Sequence, residues 1–195
     1  MGLRLPGLLR ESLRRVWDDM DAAYAQAAAA CGFICSGCEN SCCRTRFHHH
    51  TLLEFLYLRE GFNRLPVAWQ ESILSDARAV VAQYEQAGVA GAAPGAMCPL
   101  NAEGRCRLYD YRPMICRLHG IPHELHAPGR PVQAGPGCEE FQRRCGRRED
   151  CIRLDRTPLY TALAQLETEC RQALGMRRKI RMTIAEILLN DGVLE

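Results

Sequence analysis

Four thiols stand within the nine residues CSGCENSCC, from Cys35 to Cys43. They are Cys35, Cys38, Cys42 and Cys43. Two cysteines separated by two residues can reach one tetrahedral metal or two corners of an iron–sulfur cluster, because an irregular backbone can turn both sulfurs toward one point. The same spacing occurs in dithiol redox motifs, so cross-linking, metal binding, redox chemistry and packing are the readings to separate. Packing is disfavoured for this block, since a loop bearing Gly, Ser and Asn offers no apolar core to join.

Four further cysteines fall in irregular segments or next to helix ends: Cys98 (followed by Pro99), Cys106, Cys116 and Cys138. With the first four they form the candidate metal-ligand set. Cys31 and Cys170 lie within or at the end of apolar helical faces and are expected to be buried packing thiols. Cys145 and Cys151 flank a run of arginines in RRCGRREDC. Nearby cations lower a thiol pKa, but no partner signature accompanies these two, so exposed or incidental thiols are expected. His48, His49 and His50 suit zinc or iron by chemistry, yet three consecutive side chains cannot face one side. A partly exposed loop is expected there instead of ligation.

The context for these thiols comes from the whole chain. At 195 residues it is long enough to bury a core without staples, so its 12 cysteines do not compensate for a missing one. The opening MGLRLPGLLRESLRRVW places arginines and a proline where a secretory signal needs an unbroken apolar run. No stretch supplies the roughly 18 charge-free apolar residues of a membrane span. A cytoplasmic protein without membrane partners is expected, and there thiols stay reduced and clustered cysteines read as metal ligands or redox groups. The net charge is +2, from 25 Lys+Arg against 23 Asp+Glu, which gives no global field for nucleic acid. The local run RRCGRRED reads as a solvated segment.

The elements that must position the thiols are mostly helical. Leu9, Leu13, Val16, Trp17, Met20, Tyr24 and Ala27 recur at spacings of three and four, predicting an amphipathic helix over 8–30 that Cys31 and Gly32 end. TLLE, from Thr51 to Glu54, has the spacing of a capping box and opens a second helix running to Leu65. Pro66 fits the first turn of a third helix, which Gly88 can close, and GVAGAAPGA then reads as a linker between two cysteine-bearing halves. From Met97 to Cys151 regular periodicity is absent and Gly, Pro and Cys dominate, so an element other than an apolar stripe must organise the segment. Within it, Pro113 suits the start and Gly120 the end of a short helix that would present Cys116. Arg112 and Arg117 then either offset the charge of a thiolate-rich site or pair on the surface with Asp110 or Glu103. Helices over 158–190 follow, the first begun by Thr157 and Pro158 and closed by Gly175, the second begun by TIAE and stopped at Gly192. The expected fold is mainly α, a helical single domain over 1–195 with an irregular, cysteine-rich, metal-binding centre.

CSGCENSCC, followed by CPLNAEGRCRLYDYRPMICRLHG and then GPGCEEF, resembles the YkgJ-type cysteine-cluster family of zinc- or iron-chelating domains. The resemblance spans about 35–141, and the run from Cys106 through Tyr109, Arg112 and Pro113 to Cys116 and Arg117 carries much of it. The flanking helices lie outside it. Flagellin lysine methylases are similar to this family, which implies a metal-dependent enzyme as one alternative.

Thiolate-only ligation suits both four-cysteine zinc and an iron–sulfur cluster. Long separations between ligand blocks and the Cys98–Pro99 step favour an iron–sulfur cluster of the 4Fe–4S type, with zinc as the alternative. The expected function is metal binding in a structural, electron-transfer or metal-handling role. Against an enzyme stands the lack of a Gly-rich phosphate loop or an acid/base pair set in a motif. A thiol oxidoreductase using Cys35 and Cys38 lacks the strand-to-helix context of a thioredoxin motif.

Overall fold

The computed structural model describes residues 3–35, 42–90, 95–146 and 151–190, without the side chains of 88–90. The chain is mainly helical and divides into two compact units. The first unit holds Met1–Gly7, Cys43–Pro113 and Glu169–Glu195; the second holds Leu8–Cys42 and Met114–Thr168. Among the described residues no helix is long and apolar enough to cross a membrane.

The second unit is built on α1, Gly7–Ala30. Its predicted stripe buries Leu13, Val16, Trp17, Met20, Ala27 and Ala28. The helix ends in a Schellman pattern: Gly32 takes φ 65°, donates its N–H to Ala29 O at 2.9 Å, and lets Phe33 N–H return to Ala28 O at 2.8 Å. Phe33 thereby meets Phe141 edge-on, with ring centroids 5.1 Å apart. Short elements follow later in the chain: α4 at Met114–Leu118, strands β3 at His123–Leu125 and β4 at Gln133–Gly135, α5 at Glu139–Cys145, β5 at Leu154–Asp155 and α6 at Thr157–Leu174, whose last turns belong to the first unit. β3 pairs antiparallel with β4 and parallel with β5. This sheet organises part of the segment whose sequence lacks periodicity; its strands are too short for alternation to register.

In the first unit, α2 (Leu52–Phe62), α3 (Val67–Ala90) and α7 (Ile184–Leu189) pack together. α2 is buried nearly all round, from Leu52 through Leu58 and again at Gly61 and Phe62, which is the mark of a central helix. Thr51 Oγ1 accepts Glu54 N–H at 3.1 Å and itself donates to Glu54 Oε2 at 2.8 Å. Thr183 and Glu186 form the reciprocal capping box of α7, and Arg59 Nη1 donates to Leu188 O at 2.6 Å at its far end. Two helix ends differ from expectation. α2 stops at Phe62, short of Leu65, where Asn63 closes it, and α3 passes through Gly88 to Ala90. The linker beyond lies partly, and the stop at Gly192 wholly, outside the described residues.

A two-residue hairpin, β1 (Asn101–Ala102) and β2 (Arg105–Cys106), completes this unit. Glu103 at φ 52° and Gly104 at φ 81° form its turn, with the positive φ at both central positions that matches strand twist.

Candidate functional site

The described cysteines are thiols, none in a disulfide, and they fall into groups within each unit. In the first unit, Cys43 sits in the 3-10 turn Cys42–Arg44, Cys98 enters the hairpin, and Cys106 lies on β2. Cys98 N–H donates to Cys43 O at 2.8 Å, so two stretches far apart in sequence run side by side at their cysteines. Burial pushes the Cys98 thiol up to about 12, the Leu100 N–H opposes that, and the charges of Cys43 and Cys106 push it further. Cys106 is likewise raised, first by burial and then by Cys43, while the Leu108 N–H and the Arg112 cation lower it. Both sulfurs therefore receive the N–H two residues on, a donation that favours the thiolate.

In the second unit the organiser is a phenol. Tyr24, on the α1 stripe, has its hydroxyl pKa raised mainly by burial, then by the charges of Cys35 and Cys138, by a hydrogen bond with Cys35, and by Cys42. Cys138 is the N-cap of α5: its sulfur accepts Phe141 N–H at 3.4 Å, and its own N–H donates to Gly120 O at 3.0 Å. Gly120 holds φ 115°, and a Cβ there would stand 3.1 Å from the Tyr24 hydroxyl and 3.9 Å from Cys138 Sγ. The glycine thus opens the space into which hydroxyl and thiol converge. Cys116 is half-buried on α4 in this same unit, as the short-helix expectation had it, and Cys38 lies outside the described residues.

The four remaining cysteines divide differently from expectation. Cys170 is fully buried on α6, as a packing thiol should be. Cys31 is also fully buried, but beside other thiols: its pKa is pushed up to about 12 by burial, a hydrogen bond with Cys151, and the charges of Cys151 and Cys145. Of the two thiols expected to be exposed or incidental, Cys145 is buried at 5% exposure, because α5 turns it inward beside Phe141. The histidine run alternates as three successive residues must. His49 is buried and bridges to Met182, with its pKa lowered to about 4 by burial and by His50 and His48, while His48 is half-buried and His50 exposed.

The two arginines also separate. Arg117 is buried, donates to Asp21 Oδ2 at 2.5 Å and lies 5.0 Å from the centre of the Trp17 ring. Arg112 stacks on Tyr109 at 3.5 Å and donates through Nε to Tyr109 O at 2.8 Å, and its charge reaches Cys106. The sequence places Tyr24 on the helical stripe and Gly120 at a helix end, and assigns neither a role beside the thiols. A hydroxyl on an otherwise apolar helical stripe is the one available clue, since a buried phenol needs a partner.

As donors, these groups suit a soft or borderline metal: clustered thiols, partly shielded from water, with backbone N–H groups aimed at sulfur. Among the described residues, no three Cys, His, Asp or Glu side chains already stand close enough to hold an ion. No family model, no curated protein and no solved structure matches the chain.

Proposed function

We propose that the chain is a thiolate metal-binding protein of the YkgJ-type cysteine-cluster kind, with a structural, electron-transfer or metal-handling role. Cys35, Cys42, Cys116 and Cys138 would serve one site in the second unit, with Cys38 a further candidate from the sequence alone. Cys43, Cys98 and Cys106 would serve another in the first, three thiolates that leave a position for an outside ligand. The preferred group is an iron–sulfur cluster, with zinc as the alternative; either would supply a positive centre that keeps clustered thiolates ionised.

The observation that carries this reading is the donation of backbone N–H to Cys98, Cys106 and Cys138, combined with the charges of Cys43 and Cys106 acting on Cys98 and of Cys35, Cys138 and Cys42 acting on Tyr24. Packing alone would not aim three N–H groups at three sulfurs, because a neutral buried thiol is a weak acceptor. Arg112 would offset charge at Cys106, and the Tyr24 hydroxyl would orient Cys35.

Anaerobic purification followed by an absorption spectrum and iron, zinc and sulfide analysis tests the proposal. Iron with matching sulfide would support the cluster, and zinc without sulfide the alternative. A chain that holds neither after reconstitution with either metal is no thiolate metal protein.

A further inference from the structure

The second unit contains a cavity of about 290 Å³ lined by His123, Leu125, Gln133, Ala134, Arg156 and Tyr160. Arg156 is the unusual wall. It lies between β5 and α6, is 3% exposed, and gives its Nη2 to Leu118 O, yet its Nε has no hydrogen-bond partner. Among the described residues no carboxylate pairs with it. The acidic side chains on β3 and β5 are already engaged: Asp155 accepts Thr157 N–H at 2.8 Å, and Glu124 pairs with His126 at 3.0 Å.

A buried guanidinium without an anion is costly, since removing it from water is offset only by a compensating charge or by hydrogen bonds. The surrounding groups compensate weakly. Burial lowers the Arg156 pKa, and only the phenols act in the other direction, Tyr160 by its charge and by a hydrogen bond to the guanidinium and Tyr24 by its charge. His119 and His123 in turn have their pKa values lowered, mainly by burial and next by Arg156, so these imidazoles do not act as anions and are held from adding a second cation. The remaining walls fit a small organic acid. Gln133 and Tyr160 carry hydrogen-bonding groups, and Leu125 and Ala134 supply apolar surface.

Gly135 extends the argument. It is paired with His123 across the β3–β4 ladder, and a Cβ at Gly135 would stand against the imidazole Cε1. The ring therefore lies across the bare backbone of β4, which holds it in one place at the cavity wall.

We propose that this cavity binds a small monocarboxylate, with the carboxylate on Arg156 and the aliphatic part against Leu125 and Ala134. A planar guanidinium suits a carboxylate, a cavity at the small end of ligand pockets suits a short acid, and one cation suits one negative charge. Phosphate shares the anionic chemistry but brings more charge than one cation offsets. This site stands independently of the proposed metal centres.

Isothermal titration of the purified full chain with sodium butyrate, inorganic phosphate and sodium chloride tests it. Saturable one-to-one butyrate binding, at least tenfold tighter than phosphate, is expected. Arg156→Met and Ala134→Phe should each weaken it tenfold or more. Ala134 is exposed on β4, so the second variant fills the cavity mouth without disturbing the core and decides the matter if the first fails to fold. Butyrate binding no tighter than chloride overturns the site, as does unchanged binding in a folded Ala134→Phe. Saturable phosphate binding without butyrate binding overturns the carboxylate assignment.

Discussion

The two thiol groups are assembled by different means. Around Cys98 and Cys106 the backbone does the positioning: a hairpin with a tight turn, a Cys98 N–H bond to Cys43 O, and N–H groups of Leu100 and Leu108 directed at sulfur. Around Cys35, Cys42 and Cys138 main-chain bonds at the α5 N-cap place Cys138 alone, and the convergence of the group depends on one side chain and one missing side chain, the Tyr24 hydroxyl and the bare Cα of Gly120. A group fixed by main-chain bonds should tolerate side-chain substitution at its edges, whereas a group fixed by a phenol and a glycine should not. The first is robust to sequence and the second is specific.

The largest expected effect separates ligands from packing thiols. Cys35→Ser and Cys98→Ser should each remove about half of the bound metal, by disabling one site, whereas Cys170→Ser should retain all of it. Metal analysis of the three purified variants checks this, and equal content in all three would dissolve the distinction between the groups.

Next in size is an acid effect confined to the first unit. His49 is held near pKa 4 in the folded chain against 6.5 when unfolded, so both forms are neutral above 6.5 and its stabilising effect is then fully present. As pH falls the unfolded form takes up its proton first, and about 3 kcal/mol of stability is lost by pH 4. Urea midpoints measured from pH 7 to 4 should fall, and His49→Gln should flatten that fall. An identical slope in the variant would show that other groups dominate acid sensitivity.

Substitution of Gly120 then tests the second group alone. Gly120→Ala forces a side chain into φ 115° and against the Tyr24 hydroxyl, at a cost of about 1–3 kcal/mol. Gly104→Ala, with open space around it, should cost less by denaturant titration even though its φ is also positive. Tyr24→Phe should have the smallest effect, about 1 kcal/mol for the lost hydrogen bond, read as slower alkylation of Cys35, whose thiolate loses a donor, with Cys98 unchanged. Equal slowing at both thiols would mean that Tyr24 serves stability in general.

Legibility follows from range along the chain. The stripe of α1, the Thr51 and Thr183 caps and the Gly175 stop at φ 64° are local signals, and each is found where periodicity and capping chemistry put it. The sheet was not legible, since strands of two or three residues carry too little alternation and β5 joins β3 in parallel across a long intervening segment. The sorting of thiols was not legible either. It rests on contacts such as Cys98 to Cys43 and Cys31 to Cys151, which no local spacing encodes. Cys31 looked like a packing residue because a helix end with an apolar stripe looks the same whether or not another thiol waits across the core.

The bond from Cys98 N–H to Cys43 O also has a history in time. Cys43 leaves the ribosome well before Cys98, separated from it by all of α2 and α3. At about 5–20 residues per second, several seconds pass before its partner exists. Cys35 must wait longer still for Cys138. During translation the early thiols are therefore exposed to oxidation and to wrong partners, and the speed of elongation becomes a variable in how much of the protein matures correctly.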